Sequence, residues 1–77
     1  MKTKFNELEL VRTTCAVEAQ LIRDETTNIT LPEGSVGTVV GVHDADPTNV
    51  GYTIEFPAPD VYTAVLATLA EKYIASA

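Results

Sequence analysis

Cysteine is nearly absent from this 77-residue chain. Cys15 stands alone, so no internal disulfide can form. A small domain without disulfides fits a reducing compartment, and a cytoplasmic location is expected. Tryptophan is missing and aromatics make up 6% of the residues. A groove for proline-rich peptides is lined by several aromatics, so Tyr52, Tyr62 and Tyr73 are a thin basis for one. Basic residues number five against eleven acidic ones, giving a net charge of −6. Most of this surface repels a bare phosphate backbone, which makes nucleic acid an unfavoured partner. No apolar run approaches the ~20 residues that span a bilayer. No apolar segment follows Lys2 and Lys4, so neither a signal peptide nor a membrane association is expected.

What remains is an ordinary globular composition, with 45% hydrophobic and 21% charged residues. The length predicts one domain over 1–77, burying only about 60% of its unfolded surface. A deep catalytic cleft is hard to build on so thin a core.

Alternation predicts strands. In ELELVRTT (7–14), Leu8 and Leu10 share one parity, and Glu7, Glu9 and Val11 the other, as in a half-buried strand. Residues 15–30, CAVEAQLIRDETTNIT, end in a polar tract and read as a long first loop anchored by Leu21, Ile22 and Ile29. LPEGSVGTVVGV follows. Pro32 presets a turn at Glu33–Gly34, and Gly34 supplies a positive φ. Val36 to His43 is a strand, and Gly37 and Gly41 inside it predict a bulge, a bend or a close backbone approach. DADPTN (44–49) is a hairpin loop. VGYTIEF (50–56) is the cleanest alternation, and it nominates Val50, Tyr52, Ile54 and Phe56 for the core. The segment from Val61 onward fits either a helix capped by Asp60 or a strand.

Gly34, Gly37 and Val39 resemble the G-x-x-G-x-V signature of small SH3-like barrels, shared by KOW-type modules and by the barrel domain of nitrile hydratase β subunits. A fuller pattern resembles the bacterial family known as domain of unknown function 4926. It is carried by Leu8 and Val11, Gly34 to Val42, Tyr52 to Phe56, and Leu69 to Ile74. The resemblance implies a mainly β chain, a small five-stranded SH3-like barrel with a long first loop and one helical turn near the C-terminus. It favours Tyr62–Leu69 as a strand, Ala70–Tyr73 as the turn and Ile74 as a brief last strand. It implies no catalytic residue. The first loop is longer here than the family's, which departs from the pattern at a surface such barrels use for binding.

Chemistry-bearing residues are few. Asp44, Asp46 and Glu55 sit at positions 1, 3 and 12 of a calcium-loop pattern, but Asn49 stands where that loop needs glycine and Pro47 interrupts it. One His and one Cys cannot complete a zinc site. Cys15 and His43 are the only nucleophile and base at hand, and a lone cysteine packs as a small hydrophobe. No metal or cofactor is expected. Asp24, Glu25, Glu33, Asp44 and Asp46, with Tyr62, form the candidate partner-binding set, a loop-borne acidic surface suited to a basic protein. The expectation is a non-enzymatic interaction module, of which an antitoxin or immunity-type inhibitor is the most concrete form. The alternatives are a KOW-type nucleic-acid module and an accessory subunit of a larger enzyme. An open β-edge at the short last strand leaves a homodimer available.

Overall fold

The structure, a computed structural model, describes residues 3–21, 28–57 and 64–77. Among them seven strands form: β1 Leu10–Thr13, β2 Val17–Leu21, β3 Asn28–Leu31, β4 Val36–His43, β5 Gly51–Pro57, β6 Ala64–Ala70 and β7 Ile74–Ser76. A 3-10 turn, Glu71–Tyr73, separates β6 from β7. The strands make one sheet in the order β3-β2-β6-β5-β4-β1-β7. Every neighbouring pair is antiparallel.

The chain connectivity forces this sheet to curl. Four strand spacings separate β1 from β2, which is about 19 Å in a flat sheet. Only residues 14–16 link Thr13 to Val17, and a chain that short reaches at most about 14 Å. The far strands therefore bend back toward β1, and the sheet becomes a half-barrel around one core.

That core takes one face of every strand. Val11 and Thr13 come from β1, Val17 and Ala19 from β2, Leu31 from β3, Val39 from β4, and Ile74 from β7. Tyr52, Ile54 and Phe56 of β5 and Val65 and Ala67 of β6 complete it. Three of the four residues nominated from 50–56 are thus buried, while Val50, just before β5, packs partly buried against the core. On β1 the inner face belongs to Val11, and both leucines lie outside.

Gly37 explains its own place in the strand. A Cβ there would meet the Glu55 carbonyl oxygen, Ile54 Cγ2 and Phe56 Cδ1, each at 2.7 Å. The backbone of β4 therefore lies directly on the β5 core residues, as close approach at a strand glycine implies. Farther along, the register passes from Val39↔Ile54 to Gly41↔Thr53, so Val40 is the extra residue of a bulge.

The opening turn also forms as the sequence suggests. Ser35 N–H donates to the Pro32 carbonyl at 3.2 Å, closing the turn, and Gly34 holds φ at 86°. Buried Thr13 ties this turn to β1. Its hydroxyl donates to the Pro32 carbonyl and accepts from Ser35 N–H at 3.1 Å, while its carbonyl accepts from Gly34 N–H.

The expectation of a mainly β chain holds, but two details are corrected. There are seven strands among the described residues, not five. Residues 15–30 are not one long loop, because β2 and β3 pair from Val17↔Leu31 to Gln20↔Asn28. The reason is visible in the side chains. Val17 and Ala19 face inward, Glu18 and Gln20 outward, and Gln20 and Leu21 join the ladder of β6. From Ala64 onward the C-terminal expectation of strand, turn and last strand is met by β6, the 3-10 turn and β7, while Tyr62 and Thr63, where that strand is expected to begin, lie outside the described residues. No helix of the described residues is long and apolar enough to cross a membrane.

Candidate functional site

The acidic candidates do not gather in one place. Glu33 sits in the turn before β4, and Asp44 and Asp46 follow its far end. Eight strand residues lie between, so the two groups stand roughly 25 Å apart at opposite ends of the sheet. Asp24, Glu25 and Tyr62 lie outside the described residues. All three described carboxylates are exposed.

Asp46 has a local task. Its Oδ1 accepts from the Thr48 hydroxyl at 2.7 Å and from Thr48 N–H at 3.0 Å, folding the β4–β5 loop on itself. These two bonds hold its pKa below the ordinary value. The flanks of this loop are strands β4 and β5, so the calcium-loop pattern has no helical frame. Among the described residues no three His, Cys, Asp or Glu side chains gather as metal ligands.

Cys15 and His43 are also apart. Cys15 follows β1, which ends beside the start of β4, and His43 is the last residue of β4. Cys15 is half-buried against the core. The His43 ring nitrogen Nε2 lies 2.7 Å from the Thr53 hydroxyl, which meets the Thr68 hydroxyl at 3.0 Å.

Tyr52 does more than pack. Its buried hydroxyl donates to Glu71 Oε2 at 2.6 Å and accepts from Lys4 N–H and Phe5 N–H. Phe5 is 1% exposed and stacks edge-on against the Tyr52 ring, with centroids 5.4 Å apart. This knot fixes the N-terminal arm across the end of the sheet. Burial, then the Glu71 hydrogen bond and charge, raises the Tyr52 pKa against the opposing pull of the backbone donors. Nothing periodic in the sequence flags Phe5.

Two lysines meet in one spot, with Glu71 among them. Lys4 and Lys72 line the same open groove beside Pro47–Val50, with their ammonium groups over the Phe5 and Tyr73 rings at 5.6 and 5.1 Å. Arg12 is on β1, outside this groove.

The most unusual surface lies elsewhere. Leu8 is 78% exposed and has φ of 70°, in the left-handed region that bulky residues rarely adopt. The cause is a turn joined to a bulge. Glu9 N–H donates to the Asn6 carbonyl, closing a turn with Leu8 at its third residue. Leu8 N–H then donates to the Val39 carbonyl at 2.7 Å, while Val39 N–H donates to the Glu9 carbonyl at 3.0 Å. Two residues thus oppose one, with the left-handed residue first, which is the bulge form that ordinarily holds glycine. A leucine there costs about 1–2 kcal/mol of backbone strain, yet its side chain is mostly in water.

Leu8 has apolar company. Leu10, Val36 and Val40 are also large and exposed. Leu10 and Val36 line a shallow outer groove with Gly37, Thr38, Glu55 and Pro57. Val39 is the shared partner of the Leu8 bulge on one side and the neighbour of the Val40 bulge on the other. Leu8, in the bulge before β1, and Val40, in the bulge of β4, are thus both backbone neighbours of Val39.

Comparison with known proteins finds no matching family model, no matching curated protein and no matching solved structure.

Proposed function

We propose that this chain is a non-enzymatic protein-interaction module, a small acidic SH3-like barrel of the domain of unknown function 4926 type. Several features support the fold assignment. With β2 and β3 set aside, the remaining order is β6-β5-β4-β1-β7, with a 3-10 turn before the last strand. Five strands with a turn before the last one are what the resemblance implies, and the β2–β3 pair extends the sheet at the first-loop position.

The observation that carries the functional reading is the exposed apolar surface around Leu8, set in a chain of net charge −6. Exposed apolar patches with polar rims mark contact surfaces for other proteins. The charge favours a basic partner and speeds its approach. An inhibitor that covers a toxin's basic site is the most concrete form of this reading. The separation of Glu33 from Asp44 and Asp46 means that such a partner would engage one end of the sheet rather than all acidic loops together.

The test is capture with a tagged chain from its native host at low salt, followed by a high-salt wash and mass spectrometry. The released protein is then purified and its binding measured directly. The expected result is one basic protein whose affinity for the purified chain falls as salt rises. Recovery of RNA or ribosomal proteins would move the reading to the KOW type, with the Lys4–Lys72 groove as the contact. Recovery of the chain alone would remove the support for a partner surface.

A further inference from the structure

The sheet's outer face carries a cluster of exposed apolar residues. We propose that the exposed face of β1 and β4 around Leu8, Leu10, Val36 and Val40 is the docking centre for a basic protein segment with apolar anchors. This inference rests on the interaction-module reading and specifies its contact surface.

Three observations converge on this face. First, the four side chains account for four of the five large hydrophobics exposed among the described residues. Leu10 lies on β1 and Val36 and Val40 on neighbouring β4, with Leu10 opposite Thr38 and Arg12 opposite Val36, and Leu8 sits in the bulge just before β1. Second, Leu8 and Val40 are presented by adjacent bulges, and bulges recur where a side chain is re-aimed for a functional purpose. A strained residue whose side chain gains little burial in its own fold points to a use outside that fold. Third, the rim is acidic. Glu7 and Glu9 flank Leu8 in the chain, and Glu55 pairs with Thr38 and lines the groove beside Leu10 and Val36. Arg12 is the single cation on the β1 strand.

Charge chooses the occupant. Lysine or arginine side chains meet Glu7 and Glu55 around an apolar centre, which is the arrangement of a core and rim in a protein interface. A second copy carries the same carboxylates and the same net charge of −6, so electrostatics opposes a symmetric dimer through this face.

The test uses defined peptides and amide NMR shifts of the intact chain. One short peptide alternates lysine with leucine, a second lysine with serine, and a third glutamate with leucine. The Lys–Leu peptide is expected to shift amides of Leu8, Leu10, Val36 to Val40 and Glu55, to bind more weakly as salt rises, and to outbind both others. Leu10→Ser, a change at a mostly exposed position, is expected to weaken it by about tenfold while the remaining spectrum stays folded. Shifts at Glu33, Asp44 or Asp46 instead would overturn the assigned face and leave the module reading standing. Equal binding of Lys–Ser would make charge alone responsible and remove the apolar centre. Concentration-dependent shifts of the same amides without peptide would name a second copy as occupant and overturn the proposal. The absence of any shift would overturn it too, while capture of a host protein would still decide the module reading separately.

Discussion

Replacing Gly37 by alanine gives the sharpest test of how β4 lies on the core. The new Cβ would sit 2.7 Å from the Glu55 carbonyl oxygen, Ile54 Cγ2 and Phe56 Cδ1 at once. Ile54 and Phe56 are at most 1% exposed, so neither can swing into water. The carbonyl belongs to the paired strand and cannot retreat without opening the β4–β5 ladder. Overpacking of this kind costs about 1–3 kcal/mol. Alanine also restricts the unfolded chain, which returns about 0.4–1 kcal/mol where the backbone accepts it. The clash should prevail, leaving a net loss of about 1–2 kcal/mol. A domain of this size then melts about 4–16 °C lower. Gly51 supplies the control, because its Cβ would find nothing closer than the Leu69 carbonyl oxygen at 3.6 Å. Gly51→Ala should therefore be neutral within about 0.5 kcal/mol or mildly stabilising. Circular-dichroism melts and urea titrations of both variants decide the matter. Equal stability of Gly37→Ala and Gly51→Ala would refute the close approach of β4 to Ile54 and Phe56.

Other consequences follow from the same contacts. Tyr52→Phe removes the partner of two backbone N–H groups and of Glu71, and should cost about 1–3 kcal/mol in urea titrations. The same variant should flatten the alkaline loss of stability. The folded pKa of Tyr52 stands above the ordinary 10.0, so its contribution is whole below pH 10 and disappears as pH rises through the folded value. Phe5→Ala should cost about 3–5 kcal/mol, against a total of about 4–12 kcal/mol for a chain of this length, and melts should show marginal or lost folding. Thr13→Val keeps the shape but leaves Ser35 N–H without its hydroxyl acceptor. A loss of about 1–2 kcal/mol is expected, with faster hydrogen exchange in the 32–35 turn.

Legibility in the sequence followed the strength of the local signal. Tyr52, Ile54 and Phe56 alternate with polar residues and stand in the middle of the sheet, so period and burial agree. Gly34 and Gly37 were readable because each glycine has a reason that no other residue meets, a positive φ in one case and contact with β5 in the other. The pair β2–β3 was harder to see. Val17 and Ala19 do alternate with Glu18 and Gln20, but alanine is a weak inward marker and the polar tract after it reads as loop. Pairing with β6, a partner distant in sequence, is what makes β2 a strand.

The candidate surface was still less visible. Leu8 and Leu10 share a parity, and two leucines on one side of a strand ordinarily mean the core. Here the bulge at Leu8 and the inward Val11 place them outside. No local pattern announces a left-handed leucine, since glycine or asparagine is the residue that signals such a turn. The turns that carry Glu33 and Asp44–Asp46 were legible as turns, but their separation by the length of β4 depends on register, which composition does not contain. Phe5 is isolated in its segment, and its burial in the core, edge-on to the distant Tyr52 ring, has no local signal.

The most direct measurement is the unfolding free energy and the Lys–Leu peptide affinity of Leu8→Gly, taken on the same preparation. Glycine accepts φ of 70° without strain, and the side chain removed is already 78% exposed. If Leu8 serves a partner, stability should hold or rise by up to about 1 kcal/mol, while affinity should fall by about tenfold. A variant that loses stability and keeps its affinity would make Leu8 a structural residue and contradict the account.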